Sequence, residues 1–304
     1  MPGLIPGPDL GAAPVSATAL ALILVAAVAH ATWNLFSKQA SVAGATSFVW
    51  LMALAAAVLY APAVLISVLI DPPRLTALCW VFMAGTGLLQ AGYFLFLQSG
   101  YRLGDLSVVY PVGRGSGALL AALAGIVLLG ERPGTAGLAG IGLVIAGVLL
   151  LGAPAGQRRS AAHPAPRALA FALVTGLFIA SYTLWDKYAV STLQVPPLLQ
   201  GYAAMPVMAL VLAPFAVRQR ARTALVWRDY RRQVAGAAVL APLAYILVLA
   251  ALSFTAVSAV APAREVSVLA GVLLGRRMLG EGQLARRLAA AGAIAAGIIC
   301  IAVG

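Results

Sequence analysis

The sequence is short of almost everything with which soluble enzymes do chemistry. Among 304 residues there are two cysteines, two histidines and eight acidic residues, and charged side chains make up only 9% of the chain. Cys79 and Cys300 both fall in apolar runs, which excludes a disulfide framework and any cysteine-based metal spacing. His30 and His163 are too far apart for a paired-histidine motif, so no metal site is expected. Ser116, in "GRGSG", lacks the G-x-S-x-G spacing of a nucleophile elbow. No cofactor motif and no two-aspartate intramembrane pair is visible, so no cofactor is expected and an intramembrane enzyme is a remote alternative. The absence of a ring of like charges or a soluble ligand-binding domain sets a channel or a receptor aside as well. The acidic shortfall leaves a net charge of +12 and a pI near 10.5. A surplus of that size would suit nucleic acid, but the basic residues cluster in short stretches between apolar runs, where they orient a protein against a membrane. No nucleic-acid partner is expected.

What is abundant is hydrocarbon. Hydrophobic residues make up 62% of the chain and mean hydropathy is +1.00, against roughly 45–50% apolar in a soluble domain. Runs of about the 18–25 residues that a bilayer core demands recur at 16–36, 45–70, 75–99, 106–129, 135–151, 168–185, 195–217, 234–254, 256–274 and 284–303. In lipid each must satisfy its own backbone, so each is read as a helix. The expectation is an all-α integral membrane protein with ten transmembrane helices, multi-pass in a bacterial inner membrane with the lipid bilayer around it. "AVAHA", ending at Ala31, is similar to a cleavage site, but no Lys or Arg precedes it. The basic start of a signal peptide is missing, so the first span is read as permanent.

The chain also repeats itself. With a shift of 150, Arg114–Gly147 lies on Arg264–Gly297 without a gap, and twelve of the 34 pairs are identical. The matches include Arg114 with Arg264, and "LGE" ending at Glu131 with "LGE" ending at Glu281. "HATWN" (30–34) answers "YTLWD" (182–186), a ring three residues before a tryptophan and then a short polar side chain. Residues 16–151 and 168–303 therefore read as two five-helix repeats, joined by a central polar loop at 152–167. An odd number of spans sends the second repeat into the membrane from the opposite side, the inverted build familiar in transporters.

These features, with "AHATWNLFSK" in the first span, resemble the EamA-type branch of the drug/metabolite transporter superfamily over residues 16–303. The resemblance implies a ten-helix carrier with a central cavity lined by both repeats, working by alternating access. It leaves the substrate open, since the superfamily includes amino-acid exporters, nucleotide-sugar carriers and sugar-phosphate exchangers.

Charge at the bilayer centre is costly and marks a pathway or a buried pair. Arg114, Arg264 and Glu265 lie well inside their runs, while Asp186 and Lys187 fall where a loop is expected. Arg114 follows Pro111 among Gly113, Gly115 and Gly117, and Arg264 follows Pro262, so Pro111, Pro262, Gly113 and Gly115 are candidate hinges in half-broken helices. Neighbours on a helix do not face one another, so Glu265 is expected to pair with Arg114 rather than Arg264. That leaves one cation over for an anionic group on the substrate. A purely structural ion pair is the other possibility. His30, Trp33 and Asn34 share one helical face, as do Tyr182, Trp185 and Asp186. Trp33 and Trp185 belong either to the site or to an interfacial aromatic belt. His30 is either a packed imidazole or a proton carrier, and Tyr93 and Tyr245 either line the site or pack. The expected function is a secondary transporter, in the export direction, of a small metabolite bearing a carboxylate, such as an amino acid. The alternative is an exchanger of phosphorylated or dicarboxylic anions, gripped by both arginines. Proton coupling through His30 or Glu265 is open, and the protein is expected to be a monomer or a weak homodimer.

Overall fold

The computed structural model describes residues 15–103, 106–152, 166–267 and 284–303, and among these there is no β-strand. Glu281, the end of the ninth run at 268–274 and the central loop at 153–165 lie outside the described residues. Helix α1 (Ala17–Ile70) begins where the Ser16 hydroxyl accepts a bond from the Ala19 N–H, and it leaves helical geometry at Gly44. Two spans result, Ala17–Ser37 and Ala43–Ile70. A Cβ on Gly44 would stand 2.8 Å from the Arg222 side chain, so glycine is what lets the neighbouring helix close in at the break. Helices α2 (Ala77–Leu103), α3 (Leu106–Leu128) and α4 (Thr135–Gly152) complete the first half. The second half holds α5 (Pro166–Lys187), α6 (Pro197–Arg218), α7 (Arg220–Phe254, bent at Tyr230), α8 (Val257–Ala263) and α9 (Leu284–Val303).

Among the described residues six segments are long and apolar enough to cross a bilayer, and α3, α4 and α9 add shorter apolar stretches. The side chains on the outside of the bundle are aliphatic: Val28, Val58, Leu69, Val127 and Leu210 are each more than half exposed. Such a surface suits lipid and not water. This is a multi-pass membrane protein.

The two halves are interleaved. Helix α1 lies along α7, α2 packs on α5 and α6, α3 on α5 and α8, and α4 on α9. The last contact is made by small residues. A Cβ on Gly140 would meet the Gly297 carbonyl at 2.5 Å, and one on Gly147 would meet the Ala290 carbonyl at 2.9 Å. Residue number rises along one helix as it falls along the other, so α4 and α9 cross in opposite directions.

One expectation needs correcting. Asp186 and Lys187 are not in a loop: α5 runs through both and continues as a π-helical turn, Tyr188–Thr192. The helix can carry them because the bundle satisfies them, and Lys187 donates to the Leu252 and Thr255 carbonyls at 2.8 and 2.9 Å. Helix α3 is one continuous assignment through Pro111, Gly113 and Gly115. Its glycines pack closely, since a Cβ on Gly117 would lie 2.7 Å from Ile179 and one on Gly113 would lie 3.3 Å from the Ala172 carbonyl. After Pro262, α8 ends in a turn whose bonds span three residues, Glu265 N–H to Pro262 O and Ser267 N–H to Arg264 O.

The short Thr255–Ala256 connection between α7 and α8 is held from both sides. Lys187 binds the carbonyl end of α7, as described. Glu131, from the first "LGE", accepts the Val257 and Ser258 N–H groups at 2.6 and 2.8 Å. Cation on a helix C-terminus and anion on a helix N-terminus are the favourable arrangement.

Candidate functional site

Where α8 unwinds, its two charged residues part company. Glu265, 1% exposed, turns to α3 and forms a bidentate pair with Arg114, Oε1 to Nη2 at 2.8 Å and Oε2 to Nε at 3.1 Å. Arg264 turns the other way, into a cavity of about 90 Å³ between the halves. By the measure in which one water needs ~10–15 Å³, that is room for a small metabolite or a handful of waters.

The wall of the cavity comes from both repeats. His30, Trp33, Gln90, Tyr93 and Arg114 line it from the first half, and Tyr182, Tyr245 and Arg264 from the second. Met52, Met205 and Met208 fill the rest with adaptable apolar surface. Arg264 Nη2 donates to the Tyr182 hydroxyl at 2.9 Å, and the guanidinium carbon stands 5.6 Å from the centre of that ring. Across the cavity Arg114 Nη1 lies 3.5 Å from His30 Nε2. The two arginines and the two rings are the residues matched by the internal repeat, so the same arrangement is built twice. His30 also accepts from the Trp33 indole N–H, at 3.1 Å on Nδ1. With Nδ1 engaged as the acceptor of the indole N–H, a neutral His30 carries its own proton on Nε2, the nitrogen that faces Arg114.

Four of the residues picked out from the sequence lie outside the cavity wall. Asn34 donates to the His30 carbonyl of its own helix at 2.7 Å. Trp185 stacks on Phe82, centroids 4.0 Å apart, and donates its indole N–H to the Phe82 carbonyl at 2.8 Å. It packs between α5 and α2, outside the cavity wall, and Gly85 leaves the room for its ring. Glu265 is sealed behind Arg114. Asp186, 1% exposed, sits behind Tyr245, whose hydroxyl donates to Oδ2. Its Oδ1 accepts from Thr86 at 2.5 Å and from Gln200 at 3.1 Å.

Asp186 changes the charge balance. Two arginines face two carboxylates here, not one, so the site as a whole carries no surplus cation. What it has is separation, with a guanidinium on the cavity wall and a carboxylate beyond Tyr245. Gln90, Thr86 and Gln200 were missed in the sequence reading. For α2 the signal was present, because Thr86, Gln90 and Tyr93 are spaced i, i+4, i+7 on one face.

The model of the EamA-like transporter family matches residues 17–153 and again 166–303. The chain belongs to the EamA-like transporter family. No curated protein matches it. A solved protein crystal structure superposes on 92% of this chain and 97% of its own, with a TM-score of 0.68 and 18% sequence identity, a likeness of fold alone. Family membership makes it a membrane transporter of small molecules rather than a member of an enzyme family. In this EamA-like transporter the paired matches fall on the two halves of the internal repeat, and the cavity lies between them.

Proposed function

We propose that this EamA-like transporter is a secondary carrier that exports a small zwitterionic metabolite of amino-acid type, by alternating access of two inverted repeats in a bacterial inner membrane. The observation that carries the reading is Arg264: among the described residues it forms no ion pair, and it lines the cavity with its guanidinium on Tyr182. A carboxylate is the natural ligand for such a group. The rings of Trp33, Tyr93, Tyr182 and Tyr245 offer π faces to an ammonium, and the Asp186 carboxylate lies beyond them. The opposed run of α4 and α9, equivalent helices of the two repeats, supports the inverted arrangement. The dianion reading loses ground because Arg114 is already engaged by Glu265 and would have to be released first.

A thermal-shift screen of amino acids, dicarboxylates and sugar phosphates on the purified protein, followed by counterflow in proteoliposomes, tests the assignment. Stabilisation and saturable counterflow by a monocarboxylate zwitterion are expected. Selective response to a sugar phosphate or dicarboxylate would replace this reading with the exchanger.

A further inference from the structure

Three carboxylates are buried among the described residues, and each is treated differently. Glu265 has the Arg114 guanidinium, and Glu131 has the N-terminal N–H groups of α8. Asp186 has only neutral donors: the hydroxyls of Thr86 from α2 and Tyr245 from α7, and the Gln200 amide from α6. The charged groups around it are committed elsewhere. Arg264 bonds Tyr182, and Lys187 is turned to the carbonyls of Leu252 and Thr255. A buried carboxylate with no ion-pair partner is costly in its charged form, and Arg264 attracts it only from a distance. Something must come and go to balance it.

A second observation lies beside it. Gln200 is 0% exposed, and its Oε1 is a buried acceptor with no hydrogen-bond donor among the described residues. Its Nε2 is the atom aimed at Asp186 and at Thr86 Oγ1. A primary amide presents a donor on one side and an acceptor on the other. The pair is thus built to meet Asp186 in either of two forms.

Resting on the transport reading above, we propose that Asp186, with Thr86, Gln200 and Tyr245, is a proton-binding site that couples transport, set behind the wall that takes the substrate and joined to it through Tyr245. As a carboxylate Asp186 accepts from all three neighbours. On taking one proton at Oδ1 it becomes a donor, the Gln200 amide turns over, and Oε1 accepts the new O–H. No bond other than O–H forms, and one positive charge is gained. The Tyr245 hydroxyl, bound less strongly by a neutral acid than by a carboxylate, is then free to turn into the cavity that its ring already lines. Tyr182, packed edge-on to Tyr245 with centroids 6.4 Å apart, carries the effect to Arg264. Neither His30 nor Glu265 is needed.

Infrared difference spectra of the lipid-reconstituted protein between about pH 4 and about pH 9 test this without any substrate. The expected result is the carbonyl stretch of a carboxylic acid that disappears on alkalinisation, is absent in Asp186→Asn and persists in Glu265→Gln. A band that survives in Asp186→Asn, or that is lost only in Glu265→Gln, overturns the proposal. If Asp186→Asn fails to fold, Tyr245→Phe and Thr86→Val serve instead. Each removes a donor to the carboxylate and moves the midpoint upward by about one pH unit, and an unmoved midpoint in both overturns it too. Replacing potassium by sodium at constant pH leaves the band in place; its loss would make this a sodium site, not a proton site. Because the spectrum needs no transport, failure of the carrier reading leaves the band, and failure of the band leaves the carrier reading.

Discussion

Arg114 and Arg264 occupy equivalent places in the repeat yet have different surroundings, so their loss should have different consequences. Arg114→Ala leaves Glu265 buried without its partner, a situation that costs about 3–5 kcal/mol. Lower yield and a lower melting temperature are expected, and Arg114→Met combined with Glu265→Met should recover much of both. A double variant no more stable than Arg114→Ala would show that the pair is not what holds α3 to α8. Arg264→Ala breaks only a bond to a tyrosine, so the protein should still purify well. It should lose the carboxylate contact, worth on the order of 2–4 kcal/mol, or about thirtyfold to a thousandfold in substrate affinity. Thermal-shift titration against the best ligand of the screen reads this, and unchanged affinity would remove Arg264 from the site. The arginines and their rings could be read from the sequence because charge inside a hydrocarbon run stands out. Gln200 could not, since one neutral amide in a span costs little enough to occur without a role. Asp186 was seen, but its depth was misjudged: "DK" after an apolar run looks like a helix end. Only the partners, supplied by α2, α6 and α7, make it a buried pair of side chains.

The helices themselves were legible almost throughout, because a run of apolar residues long enough to cross a bilayer has one way to satisfy its backbone. Their interruptions were not. Proline in α3 and in α8 looks alike in sequence, but α8 ends just after Pro262, while α3 is clasped by α5 along its glycine face. The α4–α9 crossing can be tested directly. A Cβ on Gly297 would lie 2.7 Å from the Gly140 carbonyl and 2.7 Å from Val144, whereas one on Gly142 would meet nothing within 4 Å. Gly297→Leu should therefore lower the melting temperature markedly, since overpacking commonly costs about 1–3 kcal/mol, and Gly142→Leu should leave it unchanged. Size-exclusion profiles after graded heating give the comparison. Equal tolerance of both substitutions would mean that the helices do not cross there.

At the scale of the whole molecule, the positive residues bear on orientation. Lys187 is buried, so Arg74 and Arg132 are the basic residues left on the side of the two termini. The other side carries Lys38, Arg102, Arg158, Arg159, Arg167, Arg276, Arg277, Arg286, Arg287 and the arginines of 218–232. Basic residues in short loops stay in the cytoplasm, so both termini should lie outside, although resemblance to the family implies both inside. A fluorescent C-terminal green fluorescent protein fusion together with an inactive alkaline phosphatase fusion would reverse this assignment. The Arg114–Glu265 pair has a kinetic consequence as well. Under the 150-residue shift Glu265 corresponds to Gly115, so no carboxylate waits for Arg264 when the halves trade places. On the alternating-access cycle proposed above, the empty carrier should then rest on one side of the membrane, with its unladen return as the slow leg. Since about 1.4 kcal/mol is already tenfold in population, one-for-one swapping should outrun net flux by at least about that factor. Glu265→Gly combined with Arg114→Met should bring the two rates together, as isotope flux with and without unlabelled metabolite on the far side will show.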